Sequence, residues 1–486
     1  MNILFIYSLN VAGSENKPLE SPEQIQFGIS YISSFLKKYG HKTKLIVLSG
    51  NYPENNKKIL DKCFEEFPAK LICFTAVSTE YRFIANIAKD IKEKWPNTYL
   101  LIGGPHVSLN PDNVLLDNFD ALCIGEGENP VLELVSQLEK GIQPSTIPNL
   151  WIKRGLEIEK NLTRQFLHDL DSLPFPDRKI WQEWIEERPG ARYSVLLGRG
   201  CPFQCTYCSN HALKRLAPGL YVRFRSPDNI IEEIKDIITN FPVQKKEIYL
   251  EVESFGVDKK WAVELCLKLE QLNKNLNQPI SFGVNIRITP NVNFEDIFAA
   301  CKKANFRFIN IGLESGSERV RREILKRSYS NEDIINAVNL ARKHGLKVAF
   351  FNMVGLPGET IADFKETVKV NRICLPDWHL TGIFFPYPGT DLYLLCKEQG
   401  LLKEDLDEKI ERMKSTLSFP GFSKKQIQRS YIWFDYYVYR GRKPIYKILG
   451  RVVRLYFLSN PYSAILWKKL LRLPFFSSLR DKYGEY

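Results

Sequence analysis

The chain has 486 residues, of which 44% are hydrophobic, 12% aromatic and 26% charged. That length exceeds one ordinary core and calls for two or three domains, and the composition excludes a disordered or collagen-like chain. The net charge of +12 is uneven: residues 421–486 hold 14 Lys and Arg against 3 Asp and Glu, a surplus of 11 that leaves the first 420 residues near neutral.

The opening run Asn2-Ile3-Leu4-Phe5-Ile6-Tyr7 reads as a strand and has no basic leader. No stretch of 18 or more uncharged apolar residues marks a membrane span. Most of the ten cysteines sit in apolar stretches such as Leu71-Ile72-Cys73-Phe74. That pattern argues against a disulfide framework and for a reducing, cytoplasmic setting.

From residue 1 to 142, short apolar runs alternate with helical patterns. Strands are predicted at Asn2–Tyr7, Thr43–Leu48, Leu71–Thr75, Thr98–Ile102 and Ala121–Ile124. Helices are predicted at Ile29–Lys38, Lys57–Phe64, Tyr81–Lys94, near Asp112–Leu116 and after Pro130. Buried strands separated by helices imply a doubly wound parallel sheet, which binds ligands at the carboxyl ends of its strands. Two glycine turns fall at such ends, Gly103-Gly104-Pro105-His106 and Gly125-Glu126-Gly127-Glu128. Glycine there lets a backbone approach a large flat ligand, although a plain strand-to-helix turn reads the same way. No G-x-G-x-x-G follows the first strand, which disfavours a dinucleotide site.

Residues 143–190 read as a connector with a hairpin at Trp151–Lys160 and a proline-rich run, Leu170–Arg178. From 191 to 402 the strand–helix rhythm returns with longer periods. Strands are predicted at Tyr193–Leu197, Glu247–Leu250, Ser281–Val284, Phe308–Gly312, Lys347–Met353 and Leu380–Phe385. Ser226-Pro227 is an N-cap with proline at the first helical position, ahead of a helix over Asp228–Asn240. Directly after the first of these strands come Cys201, Cys205 and Cys208, spaced C-x3-C-x2-C. Three thiolates so spaced can hold three corners of a cubane iron–sulfur cluster and leave the fourth iron open. A zinc knuckle is the other reading; it wants four ligands, and His211 could be a fourth, but no second C-x2-C pair is present.

The trio, with Tyr207 before its last cysteine, resembles the signature of radical S-adenosylmethionine (SAM) enzymes. The two glycine turns, in this order and ahead of a barrel, resemble the cobalamin-binding domain of one large class of them. The resemblance covers roughly residues 1–400 and implies a Rossmann-like domain followed by a partial (β/α)6 barrel. It implies a 4Fe-4S cluster on Cys201, Cys205 and Cys208, which would cleave SAM to a 5′-deoxyadenosyl radical. SAM would meet Glu253, Arg287, Glu314, Ser315, Gly355 and Gly358. Where the family has two acids before a SAM-binding turn, Val252 replaces the first.

Cobalamin would meet Gly103, Gly104, His106, Gly125, Glu126 and Gly127. Residues 8–26 contain no histidine, so cobalamin would bind without a protein histidine below cobalt, as is common in this class. The D-x-H-x-x-G pattern does occur at Asp377–Gly382, but inside the barrel, where it reads as coincidence.

The resemblance implies methylation of an unactivated carbon in a small-molecule or lipid-like biosynthetic substrate, with flavodoxin or ferredoxin as reductant. Radical cyclisation, rearrangement or oxidation without methyl transfer would use the same parts. A methylthiotransferase would need three more cysteines, and of Cys63, Cys73 and Cys123 two lie in predicted strands. A non-enzymatic metal-binding sensor would bind no SAM.

Residues 403–486 read as a basic, aromatic helical tail with segments at 431–440, Ile445–Phe457 and Ala464–Leu473. It reads either as a cap on the barrel or as a contact with an acidic substrate or, weakly, with an anionic membrane surface. Charge alone would allow nucleic acid, but no recognised binding module accompanies it.

Overall fold

The computed structural model describes residues 1–115, 118–186, 191–241, 247–290, 292–402, 411–459 and 463. The chain forms two compact units: Met1–Phe203 with Cys208–Glu251 and Tyr387–Thr390, and Gln204–Tyr207 with Val252–Pro386 and Asp391–Tyr486.

In the first unit, β1 (Asn2–Leu9), β2 (Lys42–Ser49), β3 (Leu71–Thr75), β4 (Tyr99–Gly103) and β5 (Ala121–Cys123) are parallel. Helices α1 (Phe27–Lys38), α2 (Pro53–Glu66), α3 (Tyr81–Lys94), α4 (Pro105–Leu109), α5 (Pro111–Val114) and α6 (Glu128–Glu139) connect or follow them. Six consecutive residues of β1 are buried, as a strand covered on both faces requires. The strand order β2-β1-β3-β4-β5 turns between β1 and β3, which places a crevice at the carboxyl ends of these strands.

The hairpin predicted for the connector is instead the end of this sheet. β6 (Leu150–Arg154) pairs antiparallel with β5, and β7 (Glu157–Lys160) pairs with β6. β5 would otherwise present an open edge of unpaired backbone groups, and β6 closes it.

The remaining connector is fastened to the sheet by specific bonds. Trp181, fully buried, donates from Nε1 to Ser30 Oγ at 2.9 Å, and Trp184 Nε1 donates to Leu45 O at 3.2 Å. The Asp177 carboxylate takes hydrogen bonds from Ser33 Oγ and Lys37 Nζ, both at 2.6 Å. The unit continues through β8 (Tyr193–Leu196), β9 (Gly198–Arg199), α7 (Ser209–Leu213), β10 (Arg223–Phe224), α8 (Pro227–Asn240) and β11 (Glu247–Glu251). β8 runs parallel to β11, and β9 and β10 form a short antiparallel ribbon. Glu233, on the buried face of α8, holds two guanidinium groups: Arg178 Nη2 at 2.6 Å and Arg225 Nη1.

In the second unit, β12 (Ser281–Ile286), β13 (Phe306–Glu314), β14 (Lys347–Val354) and β15 (Trp378–Ile383) pair in parallel in that order. Helices α9 (Lys259–Lys274), α10 (Glu295–Lys303), α11 (Asn331–Lys343), α12 (Ile361–Cys374) and α13 (Asp391–Glu398) alternate with or follow them. Capping boxes start α11 at Ser330 with Asp333 and α12 at Thr360 with Asp363. In chain order β8, β11 and β12–β15 make six strand–helix repeats, the partial (β/α)6 barrel. β15 begins two residues before its predicted start, because the apolar Phe384-Phe385 pair imitates strand while Trp378, packed edge-on against Phe308 at 5.2 Å, is what the strand begins with.

The tail segment 431–440 is two helices, α14 (Lys424–Ile432) and α15 (Phe434–Tyr439), broken at Trp433; α16 (Ile445–Leu458) follows. Ile427, Phe434, Val438 and Ile448 share one apolar cluster with Val354, Leu356 and Phe364. The cap predicted for the tail is therefore what α14 and α15 form. The helix predicted at Ala464–Leu473 lies outside the described residues.

Glu233→Gln leaves Arg178 and Arg225 buried without the carboxylate that pairs them both. A destabilisation of about 3–5 kcal/mol is expected, measurable as a lowered urea midpoint of the first unfolding transition. Retention of the wild-type midpoint would contradict the assignment.

Candidate functional site

The cysteine loop runs from β9 to α7. Gly200, which opens it, has φ +85°, and a Cβ there would come within 2.1 Å of Tyr221 O, so only glycine lets the ribbon close at that point. Cys205 is buried, Cys201 and Cys208 are half-buried, and none of the three is in a disulfide. Arg287 Nη1 donates to Cys205 Sγ at 2.8 Å. Tyr207 Oη accepts from Arg327 Nη2 at 2.8 Å, and Thr206 Oγ1 donates to Ile324 O at 2.6 Å. Three thiols in C-x3-C-x2-C spacing, with a cation on the sulfur of Cys205, are a donor set whose chemistry suits an anionic iron–sulfur cluster. Among the described residues, no group of three or more His, Cys, Asp or Glu, the trio included, is already gathered to hold a single metal ion.

The other barrel residues predicted to meet SAM differ in exposure. Glu253 is exposed in the turn after β11, beside buried Ser254, whose Oγ accepts from Arg287 N at 3.3 Å. Arg287, predicted to reach SAM, has its guanidinium on Cys205. Glu314 ends β13 with φ +59°, a left-handed conformation that a non-glycine residue holds only when its surroundings impose it. Arg327 imposes it, through an ion pair of 3.1 Å to Glu314 Oε1. Ser315 is fully buried, with its Oγ 3.3 Å from Thr367 Oγ1 and accepting from Ser317 N. Its hydroxyl is thus spent on packing α12, a commitment the sequence motif did not reveal.

Gly355 and Gly358 both have positive φ in the turn after β14. Gly355 N and Leu356 N donate to Glu359 Oε2, at 2.6 and 3.0 Å. Glu359 is 1% exposed, its Oε1 has no hydrogen-bond partner, and burial pushes its pKa up to about 8. Sequence reading passed over Glu359 and Arg327. The first stood in plain view inside Gly-Leu-Pro-Gly-Glu-Thr; nothing in the sequence marked the second.

In the first unit the predicted glycine turns do sit at strand ends. Gly104 has φ +100°, and a Cβ there would lie 2.7 Å from Ala76 O and 2.8 Å from Thr75 Oγ1. His106 is buried against the ring of Tyr81, with centroids 4.6 Å apart, and its Nδ1 lies 3.0 Å from Ser78 Oγ. Nε2 has no partner, and burial pushes the imidazole pKa down to about 4, so the ring is neutral. Glycine at 104 is thus required by the close approach of the β3 end, and Nε2 of the neutral His106 ring is a buried polar atom without a partner, which a polar-edged ligand at this sheet end would satisfy.

Gly103 closes β4 against Cys123 Cβ, and Gly127 passes within 2.7 Å of Ile32 at its Cβ position. Gly125 N donates to Ser108 Oγ at 3.0 Å. Glu126 meets Arg199 Nη1 at 3.1 Å and Arg223 Nη1 at 2.9 Å, and Glu128 meets Arg199 Nη2 at 2.5 Å. Burial opposes the ionisation of Glu128, but Arg199 and Arg223 outweigh it and hold the carboxyl below its usual range. His379, in the D-x-H-x-x-G pattern, is buried on β15 with Nε2 3.3 Å from Asp435 Oδ2, where it joins α15 to the barrel.

The sequence matches the Radical SAM superfamily over residues 195–370 and the B12 binding domain over residues 22–135. It is 27% identical over 425 residues to an uncharacterized methyltransferase of Pyrococcus horikoshii, covering 86% of this chain and 87% of that protein. It is 24% identical to the anaerobic magnesium-protoporphyrin IX monomethyl ester cyclase of Cereibacter sphaeroides, covering 76% of this chain and 60% of that one. Its fold resembles the cobalamin-dependent SAM radical enzyme OxsB, solved with aqua-cobalamin and SAM bound. There the TM-score is 0.70 at 16% identity, over 97% of this chain and 75% of that one.

Two outcomes follow from the site geometry. Gly200→Ala is expected to displace the cysteine loop, measurable as loss of most of the iron and sulfide bound per chain after anaerobic reconstitution. For Glu359, the folded chain keeps a proton up to about pH 8 that an unfolded chain releases near 4.5. The folded state binds more protons in that window, so stability falls as pH rises through it, by about 1.4 kcal/mol per unit. Glu359→Gln should remove this slope, so its urea midpoint relative to wild type should climb steadily from pH 5 to pH 8.

Proposed function

We propose, from the match of residues 195–370 to the Radical SAM superfamily and of residues 22–135 to the B12 binding domain, that the chain methylates an unactivated carbon of a biosynthetic small molecule or lipid-like substrate. The observation that carries this reading is one chain holding both the C-x3-C-x2-C loop in the first barrel repeat and the Gly104–His106 turn at the end of β4. When bound, the 4Fe-4S cluster with SAM supplies a hydrogen-abstracting radical, and cobalamin supplies a transferable methyl group.

The protein's own groups bind, orient and tune. Cys201, Cys205 and Cys208 would hold three irons. Arg287, by its hydrogen bond to Cys205 Sγ, would lower the electron density on that thiolate and ease reduction by flavodoxin or ferredoxin. Glu253, exposed at the end of β11, would take the SAM amino group, and the Gly355–Gly358 turn would receive the adenine side. Arg327 fixes Glu314, so that pair and Ser315 shape the wall more than they touch the ligand. Gly103, Gly104, His106 and the Gly125–Gly127 turn would line the cobalamin.

Similarity to a cyclase supports a second reading, radical ring formation without methyl transfer. A methylthiotransferase has less support, because Cys63, Cys73 and Cys123 are all buried, in α2, β3 and β5.

The test is anaerobic reconstitution followed by visible spectra and an assay for 5′-deoxyadenosine. Replacing all three trio cysteines by alanine should abolish the cluster absorption and the 5′-deoxyadenosine while corrinoid binding persists. Zinc in place of iron and sulfide would overturn the whole reading, and a cluster without corrinoid would overturn the methyl-transfer half. SAM with a deuterated methyl group separates the two reactions, since only methylation carries the label into product.

A further inference from the structure

Helix α16 is apolar over much more of its circumference than it buries. Successive residues turn by about 100°, and Ile448 and Val452, at 3% and 6% exposure, form its packed edge against α14 and α15. Ile445, Tyr446, Leu449, Val453 and Tyr456 occupy the adjoining arc, and each is 41% or more exposed. On the far side of that arc stand Lys447 and Arg454, both exposed, with exposed Arg442 just before the helix. A contiguous apolar stripe with a charged rim marks an interaction surface.

The rim decides the partner. It is cationic, and the chain around it carries the surplus of basic residues over residues 421–486. A second copy would bring the same positive rim. The chain's own last residues would bring Lys468, Lys469, Arg472, Arg480 and Lys482. Both place like charges together, which an interface avoids. An apolar helix face flanked by Lys and Arg, with tyrosines at its margin, is the composition of a helix lying in a headgroup layer. At 14 residues α16 is about 21 Å long, short of the roughly 30 Å of a hydrocarbon core, and no helix among the described residues is long and apolar enough to cross a membrane.

We propose that α16 seats this enzyme on an anionic lipid surface, with its Ile445–Tyr456 stripe in the headgroup boundary and Lys447, Arg454 and Arg442 on lipid phosphates. The test uses the full chain and sedimentation with phosphatidylcholine vesicles, with and without phosphatidylglycerol, at low and high salt. Wild type should pellet with the anionic vesicles at low salt and stay in solution with the neutral ones. The triple variant Tyr446→Ser, Leu449→Ser, Val453→Ser should lose at least about tenfold in partitioning. The pair Lys447→Gln, Arg454→Gln should lose a similar factor. Circular dichroism checks that both retain the fold, which these exposed positions should permit. Equal pelleting with neutral vesicles, or a triple variant that pellets like wild type, would overturn the proposal. So would self-association that the triple variant abolishes without any vesicle binding.

Discussion

Two carboxylates and two guanidinium groups form one largely buried cluster in the first unit: Glu126 and Glu128 from the turn after β5, Arg199 and Arg223 from the β9–β10 ribbon. Each charge alone would be costly to bury, and removing one would strand the others. Backbone bonds extend the cluster, since Leu167 N donates to Glu126 Oε2 and Arg223 Nη1 donates to Leu167 O. Arg199 stands two residues before Cys201, and Arg223 two residues after Tyr221, whose carbonyl forces glycine at 200. The turn proposed to face cobalamin and the start of the cysteine loop are thus fixed by the same four charges.

The second unit uses cations in another way. Arg287 gives a hydrogen bond directly to the Cys205 thiol, and Arg327 sits buried between Tyr207, Tyr329 and Glu314. Burial disfavours the Arg327 charge, yet its neighbours overcome the penalty and keep it a cation. Beside thiolates proposed to hold an anionic cluster, such a fixed positive charge would make adding an electron easier, and its rigidity would leave little to reorganise when the electron arrives.

The tail shows how one composition serves two purposes. α14 and α15 spend their aromatic residues on the barrel, with Phe434 packed on Phe364 and the Asp435 carboxylate between His379 and Arg451. α16 spends only a narrow edge that way. The excess of apolar residues beyond what packing needs is the feature that separates α16 from its two neighbours.

Sequence alone determined the parts whose chemistry is local. The C-x3-C-x2-C spacing, the glycine turns and the alternation of buried strands with helices are short-range patterns, and each sits where the chain order placed it. Tertiary structure decided everything that depends on distant partners. It moved the Trp151–Lys160 hairpin from the connector into the first sheet, because an open strand edge is a property of the assembled sheet and of no local segment. It turned Arg287 onto Cys205 and Ser315 into the packing of α12, and it left His106 Nε2 unspent and Glu359 protonated. Burial and the direction of a side chain are set by residues scores of positions away, and a motif carries no record of them.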